Sequence, residues 1–392
     1  MSSWTTTPLD KVASVFNGKT PAKNEQRSEG HPVLKIRDVS ELGLFRGPFQ
    51  SFVDDELAQK HASKKVRAGD TLILNAAHNA DYVASKTFRA TAPSFGALAT
   101  GEWLIVRPND LVLDAAFANH WINARHTRLL LRELVNGIHL YPKDVARLRI
   151  PLPPLPEQRR IAAILDQAET LRTQRRAALA QLDSLTQSLF IDMFGDPVTN
   201  PKGWPKPLFG SVGRLDRGVS KHRPRNAPDL LGGPYPLVQT GEVANCDGYI
   251  RGHNSTYSKA GLRQSKMWPK GTLCITIAAN IAKTGILTFD ACFPDSVVGF
   301  RADDPATVEY VRVWLSFLQK ALEESAPESA QKNINLAILR DLPLPLPPLP
   351  LQQTFATRVQ AIEALKAQHR AALTEADALF AALQQRAFAG GL

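Results

Sequence analysis

The chain has 392 residues, too many for one ordinary globular core, and 44% of them are hydrophobic, enough to bury two or three. Lys and Arg outnumber Asp and Glu by 47 to 37, a net +10 that predicts attraction to a polyanion. Cys246, Cys274 and Cys292 form no CxxC pair, which excludes a zinc knuckle or a disulfide framework. The opening MSSWTTTPLDK lacks an apolar signal-peptide core, and no uncharged stretch reaches the ~18 residues of a membrane span, so a soluble, cytoplasmic protein is expected.

Near the N-terminus stand Trp4, Leu9 and Val12, then Gly18-Lys19-Thr20. That triplet is not a phosphate loop: the first glycine of GxxxxGK[ST] would fall at Ala13, and Pro21 follows where a helix should continue. Lys19 and Lys23 form a small basic stretch, and AGDTLIL (68–74) reads as a strand. The loop after it carries Asn75, His78, Asn79 and Lys86, donors and acceptors beside positive charge at a strand exit, as base-edge contacts require.

PLPPLPEQ (151–158) then leads into a helix. Its prolines stiffen a domain exit and are tolerated in a first helical turn, which favours a hinge over an SH3 ligand. Apolar residues recur at Ile161, Ile164, Ala168, Leu171, Ala178, Leu182, Leu185 and Leu189, interrupted by Arg175. Alternating three- and four-residue steps predict a coiled-coil seam.

Beyond MFGDPVTNPKGWP (193–205) the pattern starts again. Trp204 and Val212 answer Trp4 and Val12, YPLVQTGEV (235–243) answers HPVLKIRDV (31–39), and KGTLCIT (270–276) answers AGDTLIL. The second half adds a basic loop, Lys221, Arg223 and Arg225, a strand exit with Asn280, Lys283 and Thr284, and the polar run Gln331, Lys332 and Asn333. PLPPLPLQ (345–352) and AQHRAAL (367–373) repeat PLPPLPEQ and TQRRAAL (173–179) at a shared offset of 194. The same offset carries the seam to Phe355, Arg358, Ile362, Leu365, Ala372, Ala376, Leu379 and Leu383, with His369 where Arg175 stood. A chain with an internal repeat is one supersecondary plan used twice.

The expected fold is therefore α+β: two mixed α/β domains in pseudo-twofold repeat, joined by two long antiparallel coiled-coil helices. Residues 1–150 and 201–342 form the domains; 151–200 and 343–392 each supply a proline hinge and a spacer helix. Residues 1–150 carry 20 Lys+Arg against 15 Asp+Glu, residues 201–342 carry 18 against 13, and the hinge-helix segments together 9 against 9. The whole excess sits in the two globular halves, as expected of a protein that touches DNA at two places. No Asp/Glu-x-Lys pair, no acidic-or-Asn-Pro-Pro-aromatic loop, no FxGxG, no HExxH and no Gly-x-Ser-x-Gly is present, so nuclease, methyltransferase and hydrolase chemistry is not expected of this chain.

The Trp4, Leu9, Val12 opening, the GDTLIL strand (69–74), the PLPPLPEQ hinges and the MFGDPVTNPKGWP bridge resemble those of the S subunit of type I restriction–modification systems. The resemblance covers essentially the whole chain; Leu351 in place of Glu157, and Thr272 in place of Asp70, are departures within the repeat. It implies two target-recognition domains that each read half of a bipartite double-stranded DNA site, with the helices setting the gap. It also implies two modification subunits docked on the helices and, through them, restriction subunits. The chain itself would need no cofactor; S-adenosylmethionine, ATP and Mg would belong to the partners. The alternatives are a recognition subunit for a fused nuclease–methyltransferase and a helical adaptor binding protein or RNA.

Overall fold

The computed structural model describes residues 4–278, 281–325 and 334–392. The chain forms two compact units, one made of the residues up to Arg176 together with Ala371–Leu392, the other of Ala177–Arg370.

In the first unit, strands β1 (Ala13–Asn17), β2 (His31–Leu34), β3 (Phe52–Val53), β4 (Thr71–Leu74), β5 (Thr87–Arg89), β6 (Leu98–Ala99) and β7 (Trp103–Pro108) make two sheets, ordered β1-β7-β4-β5 and β3-β2-β6. The predicted strand β4 is buried along its length because both of its faces are covered. Ile73 packs with Leu104, Val106 and Phe117 of helix α1 (Ala115–Asn123), which α2 (Arg125–Glu133) follows, whereas Leu72 and Leu74 pack with Phe88, Trp103 and Ile105 on the other side. Alternation of side chains across a strand thus divides one apolar run between two cores.

The second unit repeats the plan. Strands β8 (Arg214–Arg217), β9 (Leu231–Leu237), β10 (Gly248–Ile250), β11 (Ser255–Tyr257), β12 (Met267–Trp268), β13 (Leu273–Thr276), β14 (Thr284–Leu287), β15 (Ala291–Cys292) and β16 (Val297–Arg301) order as β8-β16-β13-β14-β10 and β11-β9-β15-β12. On β13, Leu273 and Ile275 face one core and Cys274 the other. After the central strand of each unit, an alanine in the left-handed region closes the loop. Ala84 (φ 57) donates its N–H to Leu74 O at 2.8 Å and Ala282 (φ 56) to Thr276 O at 2.9 Å, both buried. A left-handed alanine, a conformation that costs energy, thus closes the exit of the central strand in both units.

Each hinge is locked by the glutamine that ends its motif. Gln158, fully buried, donates through Nε2 to Pro153 O (2.8 Å) and Val112 O (3.0 Å) and accepts from Asp114 N (2.8 Å). Gln352 donates to Pro347 O at 2.7 Å, and its Oε1 has no partner among the described residues. Prolines supply carbonyls but no N–H, so a buried side-chain donor is what the motif needs. Gln158→Met is therefore expected to destabilise the first unit by about 1–3 kcal/mol through unpaired buried groups, and Gln352→Met the second by less. Denaturant midpoints of the two variants check the order.

The long helices, α3 (Leu155–Phe194) and, after α4 (Pro305–Ser325), α5 (Leu349–Ala389), run antiparallel within each unit. In the first unit Arg172 meets Asp377 at 2.5 Å and Arg176 meets it at 3.1 Å, with Glu169 also on Arg172; in the second, Lys366 meets Asp183 at 2.6 Å and Glu363 at 3.1 Å. These clusters are copies of one another at the 194-residue offset.

The seam these contacts define is displaced from the predicted one. From Ile161 it runs through Leu165, Ala168, Arg172, Arg176, Leu179, Asp183, Thr186, Phe190 and Met193, and on α5 through Phe355, Val359, Ile362, Lys366, Arg370, Leu373, Asp377, Phe380, Gln384 and Ala387. Of the sequence-derived positions, Ile161, Ala168, Phe355 and Ile362 are buried, and Ile164, Ala178, Leu182, Leu189, Ala372, Ala376 and Leu383 are half-buried. Leu171, Leu185, Leu365 and Leu379 are 46–54% exposed, and Arg358 is exposed. Charged residues occupy the middle of the true seam, so counting apolar residues selects the stripe one position earlier.

Candidate nucleic-acid interface

On the first unit the loop after β4, the segment after β2 and residues near β5 enclose a groove of about 700 Å³. Its polar lining includes Arg37, Arg46 and Lys86 beside Glu41 and Glu102, with His78 and Asn79, and Ile36, Leu74 and Tyr82 form part of its apolar wall. His78 and Asn79 stand exposed at the rim, where Asn79 accepts the Asp81 N–H at 3.0 Å through its side chain.

The other sequence-nominated residues of this half behave differently. Asn75 is buried, its amide spent on Asn17 Oδ1 (2.8 Å) and Gly101 O (3.1 Å), so it shapes the loop from behind. Lys86 is also buried, with Nζ on Val39 O (3.0 Å) and Glu41 (2.8 Å), and its charge reaches only the groove floor. Lys19 and Lys23 are exposed on the segment after β1 and do not line the groove.

Residues 136–141 join the same surface. Leu140 N donates to Asn75 O at 2.7 Å, His139 bridges to Ala76, and the rings of His139 and Tyr141 lie 6.1 Å apart. Sequence reading passed over His139 and Tyr141; the signal was available in the repeat. Ile334 N donates to Ile277 O at 3.0 Å in the second unit just as Leu140 does in the first, which makes residues 137–139 the counterparts of the nominated 331–333. Gln331, Lys332 and Asn333 themselves, like Asn280, lie outside the described residues.

In the second unit Lys221, Arg223 and Arg225 are exposed. Asp295 holds both arginines, Arg223 at 3.3 Å and Arg225 through a short contact, while Arg217 donates twice to its carbonyl (2.7 and 2.9 Å). The loop thus presents its guanidiniums in a fixed arrangement with a net positive charge. Lys283 and Thr284 are half-exposed; Lys283 N donates to Thr276 Oγ1 (3.1 Å), which fixes the start of β14.

In both units a long helix is tied to the rest by charge. In the first, Asp166 of α3 accepts from His120 Nε2 (2.8 Å) and Arg89 (2.9 Å); the His120 hydrogen bond, with Arg89 adding attraction against the cost of burial, holds its carboxyl below the ordinary 3.8. In the second, Arg251 reaches Glu363 of α5 at 2.9 Å, and Arg370 of α5 meets Asp247. Among the described residues no group of three or more His, Cys, Asp or Glu is placed to hold a metal, and no helix is long and apolar enough to cross a membrane.

Comparison with known proteins agrees with this geometry. The family model described as type I restriction modification DNA specificity domain matches residues 1–181 and 208–375. The chain is similar to the putative type I restriction enzyme MjaX specificity subunit of Methanocaldococcus jannaschii, 20% identical over 373 residues that cover 92% of this chain and 87% of the relative. It is also similar to the type I restriction enzyme EcoBI specificity subunit of Escherichia coli, 23% identical over 441 residues covering 100% and 86%. Among solved structures, the type I restriction–modification S subunit from M. genitalium shares the fold with a TM-score of 0.62 at 13% identity, covering 99% of this chain and 96% of that one. A chain from a study of complex assembly and conformational transition of the type I R-M system matches with a TM-score of 0.55 at 20% identity, covering 99% and 98%.

Proposed function

Because the chain belongs to the type I restriction modification DNA specificity family, both of its halves matching that family's model, we propose that it reads a split DNA site, one part with each half. Target recognition is its role, and the subunit is non-catalytic by family. Residues 1–150 and 201–342 act as the recognition domains, and the hinge-helix segments 151–200 and 343–392 set the gap between the two parts of the site. In the first domain the groove carries His78, Asn79 and Arg46 to base edges; in the second, the Arg223–Arg225 loop and the exit of β13 do so. Two modification subunits dock on the long helices, where Leu171 and Leu379, and likewise Leu185 and Leu365, leave apolar surface in water. Restriction subunits join through them, and S-adenosylmethionine, ATP and Mg serve those partners.

The observation that carries this reading is the double occurrence of the recognition plan, strand, left-handed alanine and returning loop, within one family match. Co-expression with the cognate modification subunit, followed by mapping of methylated adenines across a genome, tests it. A two-part motif with a fixed gap is expected, lost when this chain is omitted. Methylation indifferent to the omission would return the chain to the class of helical adaptors.

A further inference from the structure

We infer that the hairpin Ser40–Arg46 is an apolar reading head that sets Leu42 and Leu44 against the bases of double-stranded DNA. This rests on the DNA-reading role proposed above and assigns a contact within it. Leu42 is 71% exposed and Leu44 56%, and the turn between them is closed by hydrogen bonds. Ser40 N donates to Leu44 O (2.8 Å), Leu44 N to Ser40 Oγ (3.0 Å) and Gly43 N to Ser40 O (3.0 Å). Gly43 itself takes φ +72, and a side chain there would meet Thr87 O. A fixed turn holding two leucines in water loses apolar burial for no gain within the unit.

The repeat shows that the fold does not require them. The segments between the paired strands β2 and β3 and between β9 and β11, residues 35–51 and 238–254, are equally long. Each bears a buried valine, Val39 or Val243, four residues before a positive-φ residue, Gly43 or Asp247. At the places of the two leucines the second unit has Cys246, half-buried with Sγ on Val243 O (3.1 Å), and Gly248, whose missing side chain leaves room for Arg312. One copy closes inward; the other displays apolar side chains.

The surroundings select the occupant. Exposed Arg46 ends the hairpin and exposed Arg37 precedes it on the same groove, with Asp38 3.9 Å away; of the groove's two acids Glu41 is paired to Lys86 and Glu102 accepts from Thr20. Cations around a small apolar tip suit a duplex, where phosphates meet the charge and leucine meets a thymine methyl or enters a base step.

The test uses the full chain with its modification subunit once the methylated motif is mapped. Leu42→Ser combined with Leu44→Ser changes side chains that stand largely in water, and an unchanged melting temperature verifies the fold. The preference for the mapped site over unrelated duplex is expected to fall about tenfold, with relaxation confined to one half of the motif. The salt dependence of binding should stay as in the wild type, because no phosphate contact is removed. A double variant that keeps the wild-type motif and preference overturns the inference. So does one that loses its modification subunit on size-exclusion, since the hairpin would then be a protein contact. If methylation never depended on this chain, the reading role itself falls, and the mapping shows that before any variant is made.

Discussion

Glu309→Ala is expected to destabilise the second unit by about 3–5 kcal/mol, the cost of stranding a buried charge whose partner has been removed. Glu309 and Arg312 are 8% and 13% exposed in their side chains, Arg312 donates to Glu309 through Nε (2.8 Å) and Nη2 (2.5 Å), and Tyr249 donates its hydroxyl to the same carboxylate at 2.7 Å. Burial pushes the Tyr249 phenol far above its ordinary value, and the Glu309 charge beside it does the same, so the tyrosine remains a neutral donor and cannot balance the guanidinium. Glu363 adds some attraction to Arg312, which keeps the loss within that range. Glu309→Gln retains acceptors without charge and should fall between. Thermal unfolding of the complete chain should show a melting shift of about 10 °C for the alanine variant. A shift under about 2 °C would mean that water or rearrangement satisfies Arg312 without its partner.

The corresponding prediction for the first unit concerns Asp70, fully buried, which accepts from Arg107 Nε and Nη2 at 2.7 Å each and from Arg67 N at 2.8 Å. Asp70→Ala should also cost about 3–5 kcal/mol, because Arg107, 17% exposed and lying 5.1 Å over the Phe16 ring, would keep the Ser63 and Lys65 carbonyls but, among the described residues, no carboxylate. Thr272 stands in the equivalent place of the second unit and donates its hydroxyl to Pro269 O at 2.7 Å, while the residue matching Arg107, Arg301, is exposed. The repeat therefore contains a neutral solution to the same strand entrance. Asp70→Ala with Arg107→Met should recover most of the loss, and a double-mutant cycle should return a coupling of about 2–3 kcal/mol. Additive effects would mean that the two side chains stabilise the strand separately.

Much of this architecture was legible because repetition amplifies weak signals. The hinge motif, the central strands and both long helices are visible as matched segments, and the substitution of Thr272 for Asp70 is explained once Arg301 is seen to have left the core. Side-chain direction was not legible. Asn75 and Lys86 have the chemistry of base contacts, yet the left-handed turn at Ala84 draws the loop inward and puts both to structural use. The seam was displaced by one residue because Arg172, Arg176 and Asp183 sit where a pattern search wants leucine. The hairpin at Leu42 has no motif, and only its exposure beside two exposed arginines distinguishes it.

Charges at the centre of the helix seam also discriminate against mispairing. With Arg172 and Arg176 of α3 facing Asp377, and Lys366 of α5 facing Asp183, every cation finds an anion when the helices run in opposite directions. Were they to lie side by side in the same direction with their repeats aligned, Arg172 would meet Lys366, Arg176 would meet Arg370, and Asp183 would meet Asp377. Leucines at these positions would tolerate both orientations; like charges in contact do not. The polar centre of the seam thus acts as a proofreading element during folding, rejecting the wrong topology as soon as the helices touch.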